Sequence, residues 1–518
     1  MQERFLPIGI QTFEKIRERN AVYVDKTDLI YRLVKNCNYV FLSRPRRFGK
    51  SLLVSTLRSY FEGRKDLFEG LAISRLEADW VQYPVLHFSM SLKRIASIED
   101  VGHLLDSLLR DFEKIYGTES GTAKTQYGLR MKDLILRASA QTGQKAVLLI
   151  DEYDAPILDT MHDESLKDAV RHQLRDFYSP IKDLDSKLQF VFITGISKFS
   201  QLSIFSELNN LTTITMSSEY ASICGFTRDE IVTQLAPEVE NLARAMNVSV
   251  NTALLRLKRK YDGYHFCESS PDIYNPFSLL NCLYEKKLRN YWFSTGTPTH
   301  LTKVLSQYAL RPENLDGFAA SEMDFYVPIE YAETPVPVLY QSGYVTIKKF
   351  DGYDFILGFP NEEVRVSFIK GLAPYYTFKS ATENNSYIQK TLRAIRNHDL
   401  DTAMTLLRSF FSSIPYNAEK QDEDHYKTIF YLIFTLASEY SVRTEQCSAA
   451  GRCDALIETE DTIYVFEFKL DGTAEEALRQ IDDKGYAIQY EAGDKRIVKV
   501  GVNFENDRRT IERWVVAE

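Results

Sequence analysis

Near the C-terminal end, three residues have the types and spacing that metal-dependent hydrolysis requires. Glu467 and Lys469 lie two apart in an apolar run, so their side chains share one face if the run is a strand. Asp454 stands at the start of the preceding apolar run, which can pair with the first as a hairpin. Two carboxylates can hold a hard cation such as Mg²⁺, or Mn²⁺ in its place. A bound metal lowers the pKa of its water and shields a phosphodiester, and Lys469 can stabilise the charge of the transition state.

The order of these residues resembles the core pattern of the PD-(D/E)xK nuclease superfamily, although Cys453 stands where a proline usually precedes the first Asp. A surface hairpin with scattered charges is the alternative, and it would account for any one of the three residues alone. The complete set in order favours the nuclease fold. The resemblance therefore implies that Asp454 and Glu467 are catalytic metal ligands and that Lys469 is a catalytic residue.

Two flanking features are similar to the same superfamily. Glu439 follows the apolar stretch 429–437, which predicts a buried helix, and it matches the helix glutamate that many members use as a further metal ligand. Gln480 and Lys484 are four apart, so a helix places them on one face. They match the Gln-x-x-x-Lys-Gly-Tyr segment of a bacterial branch, and this match implies a catalytic role for Gln480.

A second set of residues, near the N-terminal end, has the context of a phosphate-binding loop. An apolar run at 39–43 predicts a strand, residues 44–51 read Arg-Pro-Arg-Arg-Phe-Gly-Lys-Ser, and a helical pattern follows. The backbone N–H groups of the loop and the helix N-terminus would bind phosphate oxygens. Lys50 would reach the β- and γ-phosphates of ATP, and the Ser51 hydroxyl would bind Mg²⁺. The predicted nucleotide-binding residues of the loop are Arg46, Arg47, Phe48, Gly49, Lys50 and Ser51.

Later strand patterns support this nucleotide site over its alternative, a basic loop before a helix. The apolar run 146–150 ends in Asp151 and Glu152, a Walker B pattern in which Asp151 would hold Mg²⁺ and Glu152 would polarise the attacking water. Another run ends in Thr194, whose hydroxyl would contact the γ-phosphate or the water, although threonine is ordinary at a strand end. One feature departs from the usual motif: its first glycine is replaced by Arg44.

The sequence around these motifs resembles that of a bacterial AAA-ATPase-like family, and the resemblance extends over nearly the whole chain. The segments that carry the resemblance are Tyr23–Thr27, Arg44–Ser51, Leu149–Pro156, Phe205–Leu211, Tyr291–Pro298 and Tyr340–Tyr344. In that family the sequence Arg-Pro-Arg-Arg-Phe is usual at this position, so Arg44 does not indicate that the loop has lost its function. The resemblance implies ATP binding and a C-terminal PD-(D/E)xK domain, and it brings no settled biological role.

Composition limits the classes of protein and partner. The length of 518 residues suggests about three domains. A hydrophobic content of 44% is enough for each to bury a hydrophobic core. The net charge of −9 gives no overall attraction to nucleic acid, so a nucleic-acid surface would have to be local. The six cysteines form no C-x-x-C pair, which argues against zinc. Without a signal peptide or a membrane-spanning run, we expect a cytoplasmic protein with no membrane contact.

The predicted strands and helices around both sets of residues indicate a multidomain α/β fold. We expect a P-loop AAA-like ATPase domain at 1–215, with a parallel sheet covered by helices on both faces. An α-helical lid follows at 216–323, where Thr227 and Glu230 form a capping box. A small β-containing connector, for which a winged helix is an alternative, occupies 324–384, and a restriction-endonuclease-like α/β domain occupies 385–518.

Two hypotheses of function follow from these predictions. In the first, ATP binding or hydrolysis controls a Mg²⁺-dependent nuclease. In the second, the chain is a nucleotide-switched factor that binds nucleic acid or protein, and its nuclease fold is weakly active or inactive. A third alternative is a nucleotide hydrolase whose C-terminal domain has only a structural role. Arg171 and Arg175 are candidate arginine fingers, and a finger acting in trans would require a homo-oligomer.

Overall fold

The computed structural model divides the chain into two compact units, one of Met1–Thr295 with Asp316–Glu363 and the other of Gly296–Leu315 with Val364–Glu518. Within these, the structure describes residues 4–118, 123–198, 210–292, 315–377, 380–413, 429, 431–433, 436, 447–448, 451–452, 454–459, 461–470, 472–491, 493–505 and 510–518.

The first unit contains a five-stranded parallel sheet. Its strands are β1 (Tyr39–Ser43), β2 (Val85–Ser89), β3 (Ala146–Asp151), β4 (Leu188–Gly195) and β5 (Thr212–Thr213), in the order β2-β3-β4-β1-β5. Strand β1 therefore lies between two strands that come much later in the chain. The apolar runs at 39–43 and 146–150 and the run that ends in Thr194 form β1, β3 and β4, which confirms the predicted parallel sheet.

Helices cover both faces of this sheet because its inner strands are apolar on both sides. The helices of this region are α1 (Phe13–Glu18), α2 (Thr27–Asn36), α3 (Lys50–Phe61), α4 (Ile98–Tyr116), α5 (Tyr127–Thr142), α6 (Ala155–Thr160), α7 (Glu164–Tyr178) and α8 (Pro180–Asp183). On one face, Val191 and Ile193 of β4 belong to the same core as apolar residues of α4, α5 and α7. On the other face, Phe190 of β4 packs against Phe61 of α3, with ring centroids 5.0 Å apart.

A helical region follows the sheet in the first unit. It consists of β6 (Phe226–Thr227), α9 (Arg228–Gln234), α10 (Ala236–Ala245), α11 (Val250–Tyr261), β7 (Ile273–Tyr274) and α12 (Pro276–Glu285). Its helices share a core that includes Leu235, Leu242 and Leu279. The Thr227 side chain caps α9 and Glu230 closes the box, as the sequence predicts.

A small sheet completes the first unit. Its elements are β8 (Phe318–Ala320), α13 (Glu322–Tyr326), α14 (Pro335–Gln341), β9 (Thr346–Phe350) and β10 (Phe355–Gly358). The strands are antiparallel in the order β8-β10-β9, and Gly352, with φ of 102°, lies in the turn between β9 and β10. The boundaries proposed at 215, 323 and 384 stay predictions.

The second unit contains a mixed sheet. Helix α15 (Glu362–Thr377) leads into it and is followed by α16 (Ala381–Arg396), α17 (Leu400–Ser412), β11 (Cys447–Ser448), β12 (Gly451–Arg452), β13 (Ala455–Glu458), β14 (Thr462–Leu470), α18 (Ala474–Asp483), β15 (Arg496–Glu505) and β16 (Thr510–Ala517). Strand β14 pairs antiparallel with β13 and parallel with β15, which pairs antiparallel with β16. Gly501 lets α18 lie against β15, since a Cβ there would be 2.1 Å from the Ala474 carbonyl oxygen. This architecture agrees with the predicted nuclease-like α/β domain.

A buried carboxyl group joins two distant segments of the first unit. Glu363, which is 1% exposed, accepts hydrogen bonds from the backbone amides of Tyr291 and Trp292. Burial raises the pKa of Glu363 from its usual 4.5 to about 7. The folded protein therefore binds this proton more tightly than the unfolded chain does. The contribution of Glu363 to the free energy of unfolding is fully present below about pH 4.5 and is lost as the pH rises toward 7.

We predict that Glu363→Gln removes a pH-dependent part of the stability. An amide keeps an oxygen that can accept from Tyr291 and Trp292 but does not ionise. Urea unfolding at several pH values should show that the variant gains stability relative to the wild type, by roughly 2–3 kcal/mol, between pH 5 and 8. An exposed control, Glu240→Gln, should not change the profile. Parallel wild-type and Glu363→Gln curves would contradict the assignment.

Candidate functional site

The loop between β1 and α3 closes around the side chain of Lys50. The Lys50 ammonium is 6% exposed and donates hydrogen bonds to the carbonyl oxygens of Arg44 at 2.9 Å and Pro45 at 3.0 Å. Gly49 caps α3 with φ of 89°, and Arg47 has φ of 69°, so two residues of the loop are left-handed. This conformation wraps the loop backbone around a buried positive charge at the N-terminus of a 12-residue helix.

Carboxylates at and just after the end of β3 compensate this charge. Burial lowers the pKa of Lys50, and the negative charges of Asp154 and Asp151 oppose that shift. Asp151 is itself 5% exposed; burial raises its pKa, and a hydrogen bond from the Ser51 side chain opposes the rise. The Asp151 Oδ1 atom is buried and has no hydrogen-bond partner among the described residues. An unpartnered carboxylate oxygen next to a hydroxyl fits a divalent cation, so Ser51 and Asp151 could hold Mg²⁺.

A cavity of about 760 Å³ opens on this loop, and it lies entirely within the first unit. That volume is within the usual range for small-molecule sites. One wall is formed by the loop and the residues that follow β3: Arg46, Arg47, Phe48, Gly49, Lys50, Ser51, Glu152 and Asp154. Its apolar wall comes from the N-terminal segment, including Ile10 and Val22, and from Phe277 and Leu280 of α12. Glu152 is partly exposed and adopts φ of 53°, which is unusual for a non-glycine residue.

Two predicted nucleotide residues, Asp151 and Thr194, do not line this cavity. Thr194 is 0% exposed, and its hydroxyl donates a 2.7 Å hydrogen bond to the Leu42 carbonyl oxygen of β1. The hydroxyl therefore joins two strands of the sheet and does not line the cavity. Asp154 lines the cavity instead. Sequence reasoning missed Asp154, although it closely follows Asp151 and Glu152 at the end of β3.

The loop is also fixed to the rest of the first unit. Arg44 is 1% exposed and donates hydrogen bonds to the carbonyl oxygens of Ser43 and Thr215, at 2.9 and 2.8 Å. Its guanidinium lies 4.0 Å from the centre of the Phe266 ring. The glycine of the usual motif could make none of these contacts, so Arg44 here is a structural anchor of the loop.

Two more residues of the loop contact the helical region. The Arg47 guanidinium lies 4.0 Å from the centre of the Phe277 ring of α12. Phe48 is 1% exposed and packs edge-on against Tyr264 and Phe266, with centroids 4.8 and 5.3 Å away. The loop that would bind phosphate is therefore in direct contact with the region proposed as a lid.

Arg171, a candidate arginine finger, already has partners within its own chain. It pairs with Asp168 at 2.7 Å, and its guanidinium lies 4.9 Å from the centre of the Tyr331 ring. These contacts place Arg171 in the packing between α7 and the small sheet region.

In the second unit, the predicted catalytic residues converge at β14. The register pairs Ala455 with Phe466, which brings Asp454 beside Glu467. The Asp454 Oδ2 atom accepts a 2.9 Å hydrogen bond from the Phe468 amide. Gln480 of α18 donates its amide to Glu467 Oε1 and accepts from the Lys469 ammonium at 2.5 Å. These four residues therefore form one connected polar group.

Glu467 has the properties of a cation ligand. It is 3% exposed, and its Oε2 atom has no hydrogen-bond partner among the described residues. Burial, reinforced by the negative charge of Asp454, raises the pKa of Glu467 to about 7. A divalent cation between Asp454 and Glu467 would satisfy the free oxygen and offset this repulsion. The third proposed ligand, Glu439, lies outside the described residues. Among the described residues, no group of three His, Cys, Asp or Glu side chains converges on a metal position.

Comparison with known proteins agrees with the two predicted families. Residues 7–205 match the family model described as a predicted AAA-ATPase, and residues 421–514 match the PD-(D/E)XK nuclease superfamily. A relative from Azotobacter chroococcum mcd 1, described as an uncharacterized protein in the vnfD 5′ region, is 35% identical over 530 residues. That match covers 100% of this chain and 99% of the relative. In the part of the chain that the structure describes, no helix has the length and apolarity needed to cross a membrane.

We predict that Arg44→Ala destabilises the first unit. The substitution leaves the Ser43 and Thr215 carbonyl oxygens without their donor and opens a cavity beside Phe266. We expect a loss of roughly 3 kcal/mol in the free energy of unfolding, measured by urea denaturation. Arg46→Ala is the matched control, since Arg46 is an exposed arginine of the same loop. An equal effect of the two substitutions would contradict the anchoring role.

Proposed function

We propose that this chain, which belongs to the predicted AAA-ATPase family and ends in a PD-(D/E)XK nuclease superfamily domain, is an ATPase that controls a metal-dependent nuclease. One observation carries the proposal: Asp454, Glu467, Lys469 and Gln480 converge at β14, and the buried Glu467 Oε2 atom has no hydrogen-bond partner among the described residues. A domain that served only as a scaffold would have no need of that oxygen.

The proposed ATPase reaction uses the loop around Lys50. The loop amides and the N-terminus of α3 would bind phosphate oxygens. The Lys50 ammonium would exchange the Arg44 and Pro45 carbonyl oxygens for those of the β- and γ-phosphates. Glu152, partly exposed at the cavity wall, would position the attacking water and accept its proton. Ser51 and Asp151 would hold Mg²⁺, which neutralises phosphate charge when bound.

The proposed nuclease reaction uses the polar group at β14. Asp454 and Glu467 would hold Mg²⁺ or Mn²⁺, which acidifies water and shields the phosphodiester when bound. Lys469 would stabilise the negative charge that develops on the phosphate oxygens. Gln480 orients both neighbours, because its amide oxygen fixes the Lys469 ammonium and its amide nitrogen fixes Glu467. The substrate would be a nucleic acid.

A nucleotide-switched binding factor is the second candidate. The observation that favours it is the number of metal ligands: in the described part of the second unit, only Asp454 and Glu467 converge. A site with two carboxylates binds Mg²⁺ more weakly than one with three, so cleavage would be slow and the fold would serve mainly for binding. The two candidates differ in whether Lys469 is needed for an observable reaction.

We predict that Lys50→Ala weakens ATP binding and hydrolysis by about 100-fold, because losing a charged donor to phosphate costs roughly 3 kcal/mol. Calorimetry would measure binding, and phosphate release would measure hydrolysis. Lys132→Ala, a change at an exposed lysine of α5, is the control and should keep both activities. If Lys50→Ala and the wild type bound ATP equally tightly, the assignment of the loop around Lys50 as the ATP site would be wrong.

We predict metal-dependent cleavage of nucleic acid that falls by about 100-fold or more in Lys469→Ala, as expected when a group that stabilises transition-state charge is removed. The assay would use single- and double-stranded DNA and RNA with Mg²⁺ or Mn²⁺, with and without ATP. Lys499→Ala is the matched control, because Lys499 lies on the adjacent strand and pairs with Asp482 at 2.6 Å. If the wild type cleaves nothing while its ATPase activity is intact, the binding factor becomes the better description.

A further inference from the structure

Asp154 holds the turn that follows β4. Its Oδ2 atom accepts three hydrogen bonds, from the Ile196 amide at 3.0 Å and from the Ser197 amide and hydroxyl at 2.6 Å each. Its Oδ1 atom is buried and has no hydrogen-bond partner among the described residues. Gly195 is needed beside it, since a Cβ there would lie 2.5 Å from Oδ1. One carboxylate oxygen therefore fixes the turn, and the other remains uncommitted.

The same carboxylate is the main electrostatic partner of Lys50. Of the negative groups around Lys50, Asp154 has the largest effect on its pKa, ahead of Asp151. Asp154 also lines the cavity and is 2% exposed, so water screens its charge poorly. Any anion that binds Lys50 must therefore share that positive charge with Asp154.

The residue after the turn, Lys198, lies in a cage of aromatic rings. Its ammonium is 4.4 Å from the centre of the Tyr326 ring, 5.6 Å from Phe325 and 5.8 Å from Tyr340. It is 2% exposed, and its Nζ atom has no hydrogen-bond partner within the described residues. Burial lowers the pKa of Lys198 to about 7. The cage holds the side chain by cation–π attraction and packing alone.

The backbone of Lys198 is tied to the same region. Its amide donates a 2.7 Å hydrogen bond to the Gln341 side-chain oxygen, and the Gln341 amide donates to the Val327 carbonyl oxygen at 2.7 Å. All of these residues belong to the first unit. A displacement of the turn would therefore move Lys198 against both the cage and Gln341.

We propose that Asp154 is a positioning residue that senses the γ-phosphate, and that the turn 195–198 transmits its displacement to the aromatic cage of Phe325, Tyr326 and Tyr340. This inference rests on the proposed ATP site. A γ-phosphate bound to Lys50 brings negative charge toward Asp154 and takes over its partner. The carboxylate reduces the repulsion by moving away, and three hydrogen bonds carry the turn with it. ADP, which lacks the γ-phosphate, adds no such charge beside Asp154.

Hydrogen exchange measured by mass spectrometry on the full chain tests this inference. The readout is amide exchange in peptides spanning 322–341, with no nucleotide, with saturating ADP, and with saturating ATPγS. In the wild type we expect ATPγS and ADP to give exchange rates that differ by about threefold or more in these peptides, as local opening depends on local packing. Calorimetry on the same samples establishes that each nucleotide is bound.

Two variants and one control separate the sensor from general packing. Asp154→Asn keeps an oxygen acceptor for the turn but removes the charge, and Lys198→Met keeps apolar packing in the cage but removes the ammonium. Both should lose the difference between ATPγS and ADP. Lys348→Met should keep it, because Lys348 is a lysine of the first unit that lies outside the cage and donates to the Pro360 carbonyl oxygen at 3.1 Å. Ser197→Ala, a milder change that removes one of three hydrogen bonds, should reduce the difference.

The outcomes distinguish failure of the inference from failure of the proposed function. If the wild type binds no ATPγS, the ATP site is wrong and the sensor with it. If ATPγS and ADP bind but the peptides exchange alike, only the sensor is overturned. A difference that persists in both Asp154→Asn and Lys198→Met would overturn it as well.

Discussion

The buried ammonium of Lys50 is the constraint on which the first unit depends. A positive charge removed from water is costly unless acceptors and counter-charges surround it. Here two backbone carbonyl oxygens and the carboxylates of Asp151 and Asp154 meet that requirement. They come from different parts of the chain, and only a parallel sheet with all its strand ends at one edge brings them together. The fold and the site therefore have a common physical cause.

The second unit has the opposite charge problem. Glu467 is a buried carboxylate next to another carboxylate, and the amide of Gln480 and the ammonium of Lys469 compensate it only in part. In the first unit the buried group is an ammonium, which suits an anion; in the second it is a carboxylate, which suits a cation. The charge of each buried group indicates the kind of ligand that would complete the site.

Much of this arrangement could be predicted from the sequence because it depends on local patterns. Apolar runs predicted the strands of the parallel sheet, the spacing of Glu467 and Lys469 predicted a shared face, and Thr227 predicted the start of α9. Contacts between distant residues could not be predicted in this way. The Thr194 hydroxyl bonds to β1 because of strand pairing across 152 positions, and this pairing removes it from the cavity. Arg44 likewise acts through Thr215 and Phe266, which no local pattern connects to it.

The strand order also determines when the first unit can form during synthesis. Strand β1 is held between β4 and β5, so the phosphate loop lacks its framework until about residue 213 has left the ribosome. The small sheet that contacts Lys198 comes later still, and Glu363 is the last residue of the unit. Contacts between residues so far apart in sequence close slowly, because the chain must first lose the entropy of long loops. The nascent chain thus carries β1 unpaired for about 150 residues, from Ser43 to Leu188, and this interval is when it is most exposed to aggregation and most dependent on chaperones.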